Sequence, residues 1–402
     1  MKYCICFPGQ GSQYIGMAKD LYYEYDIVKN TFKEASELLP INMEEVCFEG
    51  KNLKDSKFAQ LSIFVTSVAM FRVIKKKFNI DPSVLVGHSL GEISALVCSN
   101  ALSFEDGIEV VLKRGDLMDK AIKKDIGGMG IIRGLTQFEV EFICNSFNNS
   151  NINIACYNTP KQFAVSSTNN ILEEIRKIVL EFEGEFSFLN ISAPFHSCLL
   201  QSLKKPLEDT LKKIKINAPD IPVISCINGN KLKDPDEILT DLINLTCNSV
   251  RWDRVINLIP KMGIDLCIEV GPKSTLKKFN HAFSQSPQTY SFSYLKDREL
   301  LFNSFVCTKL SNDDLVDFFS AIYYCQKNVK LNKLSIELIK ERDKFNYSNE
   351  EVIAIYINLI KLMKEKGAQK TLKCKVKELM TYEFQNHDLK KKIKEVNYDD
   401  RY

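Results

Sequence analysis

A serine bracketed by glycines and a histidine far from it in sequence are the residues of this chain best suited to chemistry. Ser89 lies in Gly87-His88-Ser89-Leu90-Gly91-Glu92, a G-x-S-x-G run preceded by Val84-Leu85-Val86 and followed by Ile93-Ser94-Ala95-Leu96-Val97. An apolar β-branched run, a sharp turn and a helix-forming run make the strand–turn–helix that lifts a serine hydroxyl clear of a sheet. Glycines are needed on both sides because a Cβ there would collide with neighbouring backbone. At the helix N-terminus, free N–H groups and the helix dipole favour a developing oxyanion. Such a serine acts as a nucleophile once a base is within hydrogen-bond reach. Of the four histidines, His88 points away from its own neighbour in the elbow, His281 lies in a basic run and His387 in a charged tail. That leaves His196, in Ser192-Ala193-Pro194-Phe195-His196-Ser197, as the partner of Ser89. Arg114, in Leu112-Lys113-Arg114-Gly115-Asp116, reads either as an exposed helix arginine or as a guanidinium turned inward to clamp a carboxylate through two parallel hydrogen bonds. Spacing leaves both readings open.

The elements that would position these groups follow from periodicity. Tyr3-Cys4-Ile5-Cys6-Phe7 and Val84 to Val86 read as strands, Phe64 to Ile74 as a buried helix, and Gly107 to Ala121 as a helix with Ile108, Val111 and Leu112 inward. Strands alternating with helices predict a mainly parallel sheet covered on both faces. The rhythm changes at Gly127-Gly128. A strand at Met129 to Ile132, a helix at Thr136 to Phe147, strands at Ile152 to Tyr157 and Gln162 to Ser166 joined at Asn158-Thr159-Pro160, a helix at Asn169 to Phe182 and a strand at Glu185 to Ile191 give the order β-α-β-β-α-β of a ferredoxin-like unit. The expected organisation is therefore a large α/β domain from 1–126 and 192–307, a small inserted domain at 127–191, and a helical C-terminal extension at 308–402. In that extension, Ser348-Asn349-Glu350-Glu351 forms a capping box before Val352 to Lys366.

Composition narrows the classes of function. A formal net charge of +3 on 402 residues argues against wholesale nucleic-acid binding. The thirteen cysteines show no C-x-x-C pair, so neither a metal ligand set nor a disulfide framework is expected, and they read as small buried hydrophobes in a reducing compartment. No signal peptide and no run approaching a membrane span is read from the sequence, which points to a cytoplasmic protein.

The chain resembles the malonyl-CoA:acyl carrier protein transacylases and the similar acyltransferases of fatty-acid and polyketide synthesis. The matching pieces are Phe7-Pro8-Gly9-Gln10-Gly11-Ser12-Gln13, the Gly87–Glu92 run, Lys113-Arg114-Gly115, Ala193-Pro194-Phe195-His196-Ser197 and Glu269-Val270-Gly271-Pro272. They stand in family order over roughly residues 1–300. The resemblance implies a hydrolase-like fold with a ferredoxin-like insertion. It makes Ser89 the acylated nucleophile, His196 its general base and Arg114 the binder of the malonyl carboxylate. It makes the backbone N–H groups of Gln10 and Leu90 the oxyanion hole, and Phe195 the residue that narrows the pocket. Asn158 and Gln60 match further cleft positions, against plain readings as a turn residue and a helix-start residue. Malonyl-CoA and an acyl carrier protein are the implied partners, with no metal or redox cofactor.

Two departures stand out. Cys247-Asn248-Ser249-Val250-Arg251-Trp252 matches the stretch whose backbone carbonyl orients the histidine, but with Ser249 where proline is common and Arg251 where glutamine is common, which places a positive charge near the site. The second is the C-terminal extension, absent from the simple transacylases. Its stretch 361–394 carries eleven lysines against four acidic residues, fitting either a docking face for an acidic carrier or a solvated helix face. The competing readings are an acyl hydrolase of the same fold that edits carrier-bound chains, a transferase of an unusual carrier-bound malonyl unit, and a docking scaffold without activity. An ordinary α/β-hydrolase would place its histidine last, after an acid, behind an HGGG-type loop, and neither feature is present.

Overall fold

Tyr3–Phe7 forms β1, Lys19–Glu24 and Asp26–Leu38 form α1 and α2, and Ser56–Val73 forms α3, followed by β2 (Val84–Gly87), α4 (Leu90–Cys98) and α5 (Phe104–Lys123). Next come β3 (Gly128–Arg133), α6 (Gln137–Ser146), β4 (Asn153–Thr159), β5 (Gln162–Ser167), α7 (Asn169–Glu181) and β6 (Glu185–Phe188). The chain continues through α8 (Lys204–Leu211), β7 (Val223–Ile224), β8 (Lys231–Leu232), α9 (Pro235–Leu245), α10 (Trp252–Leu258), β9 (Leu266–Glu269), α11 (Thr275–Asn280) and β10 (Gln288–Ser291). The computed structural model describes residues 2–78, 80–147, 151–189 and 193–301. The extension expected at 308–402, the lysine-rich stretch within it and the last residues of the strand expected to reach Ile191 lie outside the described residues. The chain divides into Met1–Arg298 and Glu299–Tyr402, whereas the sequence places the change at 307/308.

Six strands form one sheet in the order β10-β9-β1-β2-β7-β8. Every pairing is parallel except β7 with β8. The central strands are buried almost throughout, as a parallel sheet covered on both faces requires. Helix α3 is buried nearly all round. The segment Ser56–Lys76 is long and apolar enough to cross a membrane, yet 83% of its apolar window is buried inside the fold. This corrects the expectation that no run approaches a membrane span: a helix covered on every side has no need of a polar face. It also corrects Gln60, which lies one turn inside α3 and fully buried rather than at a helix start. Asn158, expected in a turn, is part of β4.

The second sheet has the order β4-β5-β3-β6 and is antiparallel throughout. Helices α6 and α7 bury Val140, Ile143, Leu172, Ile175 and Val179 against Ile132, Phe163 and Val165. Helix α6 opens on a capping box made by Thr136 and Glu139. The two sheets share an apolar core to which Val84 and Val86 of the first and Met129, Ala155 and Ala164 of the second all belong. One bridge also joins the small sheet to the loop between α9 and α10. Val250 pairs parallel with Cys156; Val250 N–H donates to Ala155 O at 2.8 Å, and Tyr157 N–H donates to Val250 O at 2.9 Å.

Candidate active site

Ser89 occupies the turn between β2 and α4 with φ 53° and ψ −112°, a backbone conformation that a residue with a side chain adopts only when its surroundings enforce it. The enforcement is steric. A Cβ on Gly87 would lie 2.0 Å from the Gly91 carbonyl carbon, and one on Gly91 would lie 2.0 Å from Phe7 O. The elbow is thus wedged against the end of β1, where His88 N–H also donates to Phe7 O at 2.9 Å. The loop that follows β1 rests on the same turn, since a Cβ on Gly9 would meet His88 O at 2.6 Å. Gln10 follows Gly9 on that loop, and Leu90 is the first residue of α4.

Ser89 Oγ lies 2.7 Å from His196 Nε2 and accepts a hydrogen bond from Arg114 Nη2 at 2.9 Å. His196 Nδ1 faces two backbone carbonyls, Leu245 O at 2.8 Å and Asn248 O at 3.0 Å. Carbonyls only accept, so the proton sits on Nδ1 and the lone pair on Nε2 faces the serine. Burial pushes the imidazole down to about 3, helped by the nearby Arg114 and His88 and opposed by the two carbonyls. His196 is thereby neutral, and able to take a proton, across the physiological range.

Arg114 is 4% exposed on α5, so the exposed-helix reading is overturned. Burial lowers its pKa to about 10, which leaves it cationic near neutral pH. Its Nη1 donates to Gln60 Oε1, while its Nε is buried without a partner. Among the described residues it forms no ion pair. A buried guanidinium with an idle donor beside the serine is suited to receive an anion. Gln60 Nε2 in turn donates to Gln10 Oε1 at 3.2 Å, tying the loop after β1 to the guanidinium.

The structure therefore joins Ser89, His196, Arg114, Gln60 and Gln10 by direct hydrogen bonds. Phe195 is buried among apolar core residues that include Met118, Met129 and Cys156, and its carbonyl accepts from Ser166 Oγ at 2.6 Å. Asn158 enters through a residue set aside from the sequence: His88 Nε2 lies 3.0 Å from Asn158 Oδ1, with its ring against Trp252 and Phe279. Glu92, in the first turn of α4, accepts from Cys226 N–H at 2.6 Å, and burial beside Asp241 pushes its pKa up. The positive charge expected from Arg251 is not free, because its guanidinium pairs with Asp253 at 2.6 Å. Away from the site, the buried thiols of Cys4, Cys6 and Cys267 lie within 4.8 Å of one another. Spacing along the chain could not show this grouping, since the third thiol comes from β9, opposite Cys4.

Comparison with known proteins matches residues 5–291 to the family described as acyl transferase domain. The chain belongs to that family. A malonyl CoA-acyl carrier protein transacylase from Haemophilus influenzae is 34% identical to this acyltransferase over 280 residues, 68% of this chain and 90% of the relative. A Bacillus subtilis protein of the same description is 28% identical over 384 residues, covering 93% of this chain and 92% of its own length. That second match continues past residue 307, so the C-terminal extension is not peculiar to this acyltransferase. The crystal structure of the transacylase from Clostridium perfringens superposes with a TM-score of 0.72 at 33% identity, over 76% of this chain and 97% of that one.

Proposed function

We infer that this acyltransferase moves a malonyl group from coenzyme A to the phosphopantetheine thiol of an acyl carrier protein through an acyl-Ser89 intermediate. The observation that carries this reading is Arg114: a buried cation with an unfilled donor, hydrogen-bonded to the nucleophile itself. An acyl group with a free carboxylate satisfies it, whereas an uncharged acyl chain leaves it uncompensated.

His196 Nε2 takes the Ser89 hydroxyl proton as Oγ attacks the thioester carbonyl. The backbone N–H groups of Gln10 and Leu90 hold the oxyanion. Collapse expels coenzyme A, whose sulfur takes the proton from His196. The carrier's thiol then gives its proton to His196 and attacks the acyl-serine, and the second collapse returns the proton to Ser89 Oγ. Arg114, held by Gln60, keeps the acyl group where the thiol reaches it before water does. Phe195 limits the size of the acyl chain, and Asn158 acts through His88. Every proton and electron pair in this cycle is accounted for by these groups, so we read the enzyme as needing no metal or redox cofactor. We take residues 127–191 as a ferredoxin-like subdomain inserted into the hydrolase-like large domain, a reading supported by the antiparallel order β4-β5-β3-β6, and the protein as cytoplasmic.

Intact-protein mass spectrometry after mixing with malonyl-, methylmalonyl- and acetyl-CoA tests the reading. A malonyl mass gain on the wild type that Ser89→Ala lacks is the expected outcome. Release of free malonate without any requirement for a carrier would replace it with the hydrolase reading. Labelling only by a carrier-bound donor would replace coenzyme A as the source.

A further inference from the structure

The residues that hold His196 are themselves held by a contact that the reaction does not use. The carbonyl of Leu245 closes α9, and that of Asn248 lies on the loop that runs from there to Trp252. On one side this loop is pinned to the large domain: Arg251 N–H donates to Cys226 O at 2.6 Å, and the fully buried Trp252 donates through Nε1 to Asn280 Oδ1 at 2.9 Å. On the other side it is paired to β4 of the small sheet through Val250, and Ser249 Oγ donates to Ile154 O at 2.6 Å. Where the two sides meet, the Arg251 guanidinium lies 4.0 Å from the centroid of the Tyr157 ring. Its Nε and Nη2 donate to the two oxygens of Asp253 at 2.9 and 2.6 Å. Tyr157, 8% exposed, donates its hydroxyl to Glu141 on α6 at 3.3 Å. A planar guanidinium that stacks on one face and pairs bidentately at its edge has little freedom left.

We propose that Arg251 is a positioning residue: stacked on Tyr157 and paired with Asp253, it locks the 245–251 segment to the small sheet and so fixes the two carbonyls that set the tautomer and aim of His196. Asn248 is three residues from Arg251, and Val250 lies between them, so slack at the stack reaches the Nδ1 acceptors directly. The proposal rests on Ser89 and His196 acting as nucleophile and base. It does not depend on the identity of the acyl group, because Arg114 is untouched by the clamp.

The test is the reactivity of Ser89 toward phenylmethylsulfonyl fluoride, a small uncharged reagent. An Oγ–S bond forms, fluoride leaves, and His196 takes the serine proton. Arg251→Ala is expected to slow sulfonylation about tenfold, since small losses of alignment cost this much or more. It should slow the acylation step with malonyl-CoA by the same factor while leaving KM for malonyl-CoA unchanged. Arg251→Lys, which keeps the charge but neither the fork nor the stacking plane, should fall between the two. Wild-type sulfonylation in Arg251→Ala would overturn the proposal, and so would a raised KM with an unchanged acylation rate, which would place Arg251 on the substrate. Should Arg251→Ala fail to fold, Tyr157→Leu removes the stacking face and leaves the ion pair; it is expected to slow sulfonylation severalfold, and a wild-type rate would equally overturn the clamp. A wild-type enzyme that takes the sulfonyl group but not malonyl from coenzyme A would refute the proposed donor and leave the clamp to stand or fall on sulfonylation alone.

Discussion

Ser89 and His196 meet at 2.7 Å, yet they are held there by different physics. Ser89 is fixed by exclusion: its turn is jammed between the end of β1 and the start of α4, with room for hydrogen but not for carbon at Gly87 and Gly91. His196, also in a positive-φ conformation at 57°, is fixed by attraction, through carbonyl dipoles on a loop stitched to another sheet. Steric exclusion is local and nearly rigid, because interiors are close-packed. Hydrogen-bonded positioning is distributed, and each bond contributes only about 0.5–1.5 kcal/mol net. The nucleophile's geometry should therefore fail abruptly when perturbed, and the base's geometry by degrees.

The sharpest break is Gly91→Ala. Its Cβ would meet a backbone oxygen that cannot swing aside, so acyl-enzyme formation is expected to disappear. Thermal melting should show a loss beyond the roughly 1–3 kcal/mol of ordinary overpacking. A normally acylated, normally stable Gly91→Ala protein would mean that the elbow is less wedged than its contacts indicate.

Arg114→Ala comes next. Truncating one side of the buried pair that Arg114 would make with a malonyl carboxylate costs about 2–5 kcal/mol, enough to reverse the preference between malonyl-CoA and acetyl-CoA while both half-reactions remain measurable. An unchanged ratio of the two specificities would remove Arg114 as the selecting cation. Asn158→Ala should be milder, a several-fold loss in acylation rate, because it frees the His88 ring without touching the serine or the base.

The smallest expected change is with pH. Burial holds His196 near 3 in the folded protein, below the roughly 6.5 of an exposed histidine. The acylation rate should then stay flat from pH 8 down to about 5. Stability follows the same sign: the unfolded chain binds a proton that the folded one refuses, so His196 contributes no penalty above about 6.5 and destabilises the fold progressively as pH falls toward 3. An acid limb centred near 6.5 in the rate profile would show that the imidazole is solvated in the working enzyme.

The same contrast explains what was legible in the sequence. The elbow could be read because its cause is contiguous: an apolar strand, two glycines and a helix start within about a dozen residues. The small sheet was legible from the order of its strands and helices, β-α-β-β-α-β, and β1 was read to the residue. Gln60 and Asn158 were misplaced locally, one inside a helix that is apolar on every face and one inside a strand, because tertiary burial overrides turn and cap preferences. The support of His196 was indicated only by the resemblance, which pointed to a backbone carbonyl of the 247–252 stretch; periodicity and spacing did not mark it. It depends on carbonyls, which every residue possesses, and on Tyr157 meeting Arg251 across nearly a hundred positions of chain. Similarly, His88 was dismissed as a base for a sound reason, yet it holds Asn158 through a contact between the elbow and β4 of the small sheet.

Orienting His196 with carbonyls rather than with a carboxylate has an electrostatic consequence for what can enter. A full negative charge behind the imidazole, at roughly 8 Å from a bound carboxylate and an effective dielectric constant of about 20, would repel it by about 2 kcal/mol. Peptide dipoles set the same tautomer without that field. The cleft keeps the potential of Arg114 nearly undiluted, so an acyl group that brings its own anion is drawn in where a conventional acid-backed triad would oppose it.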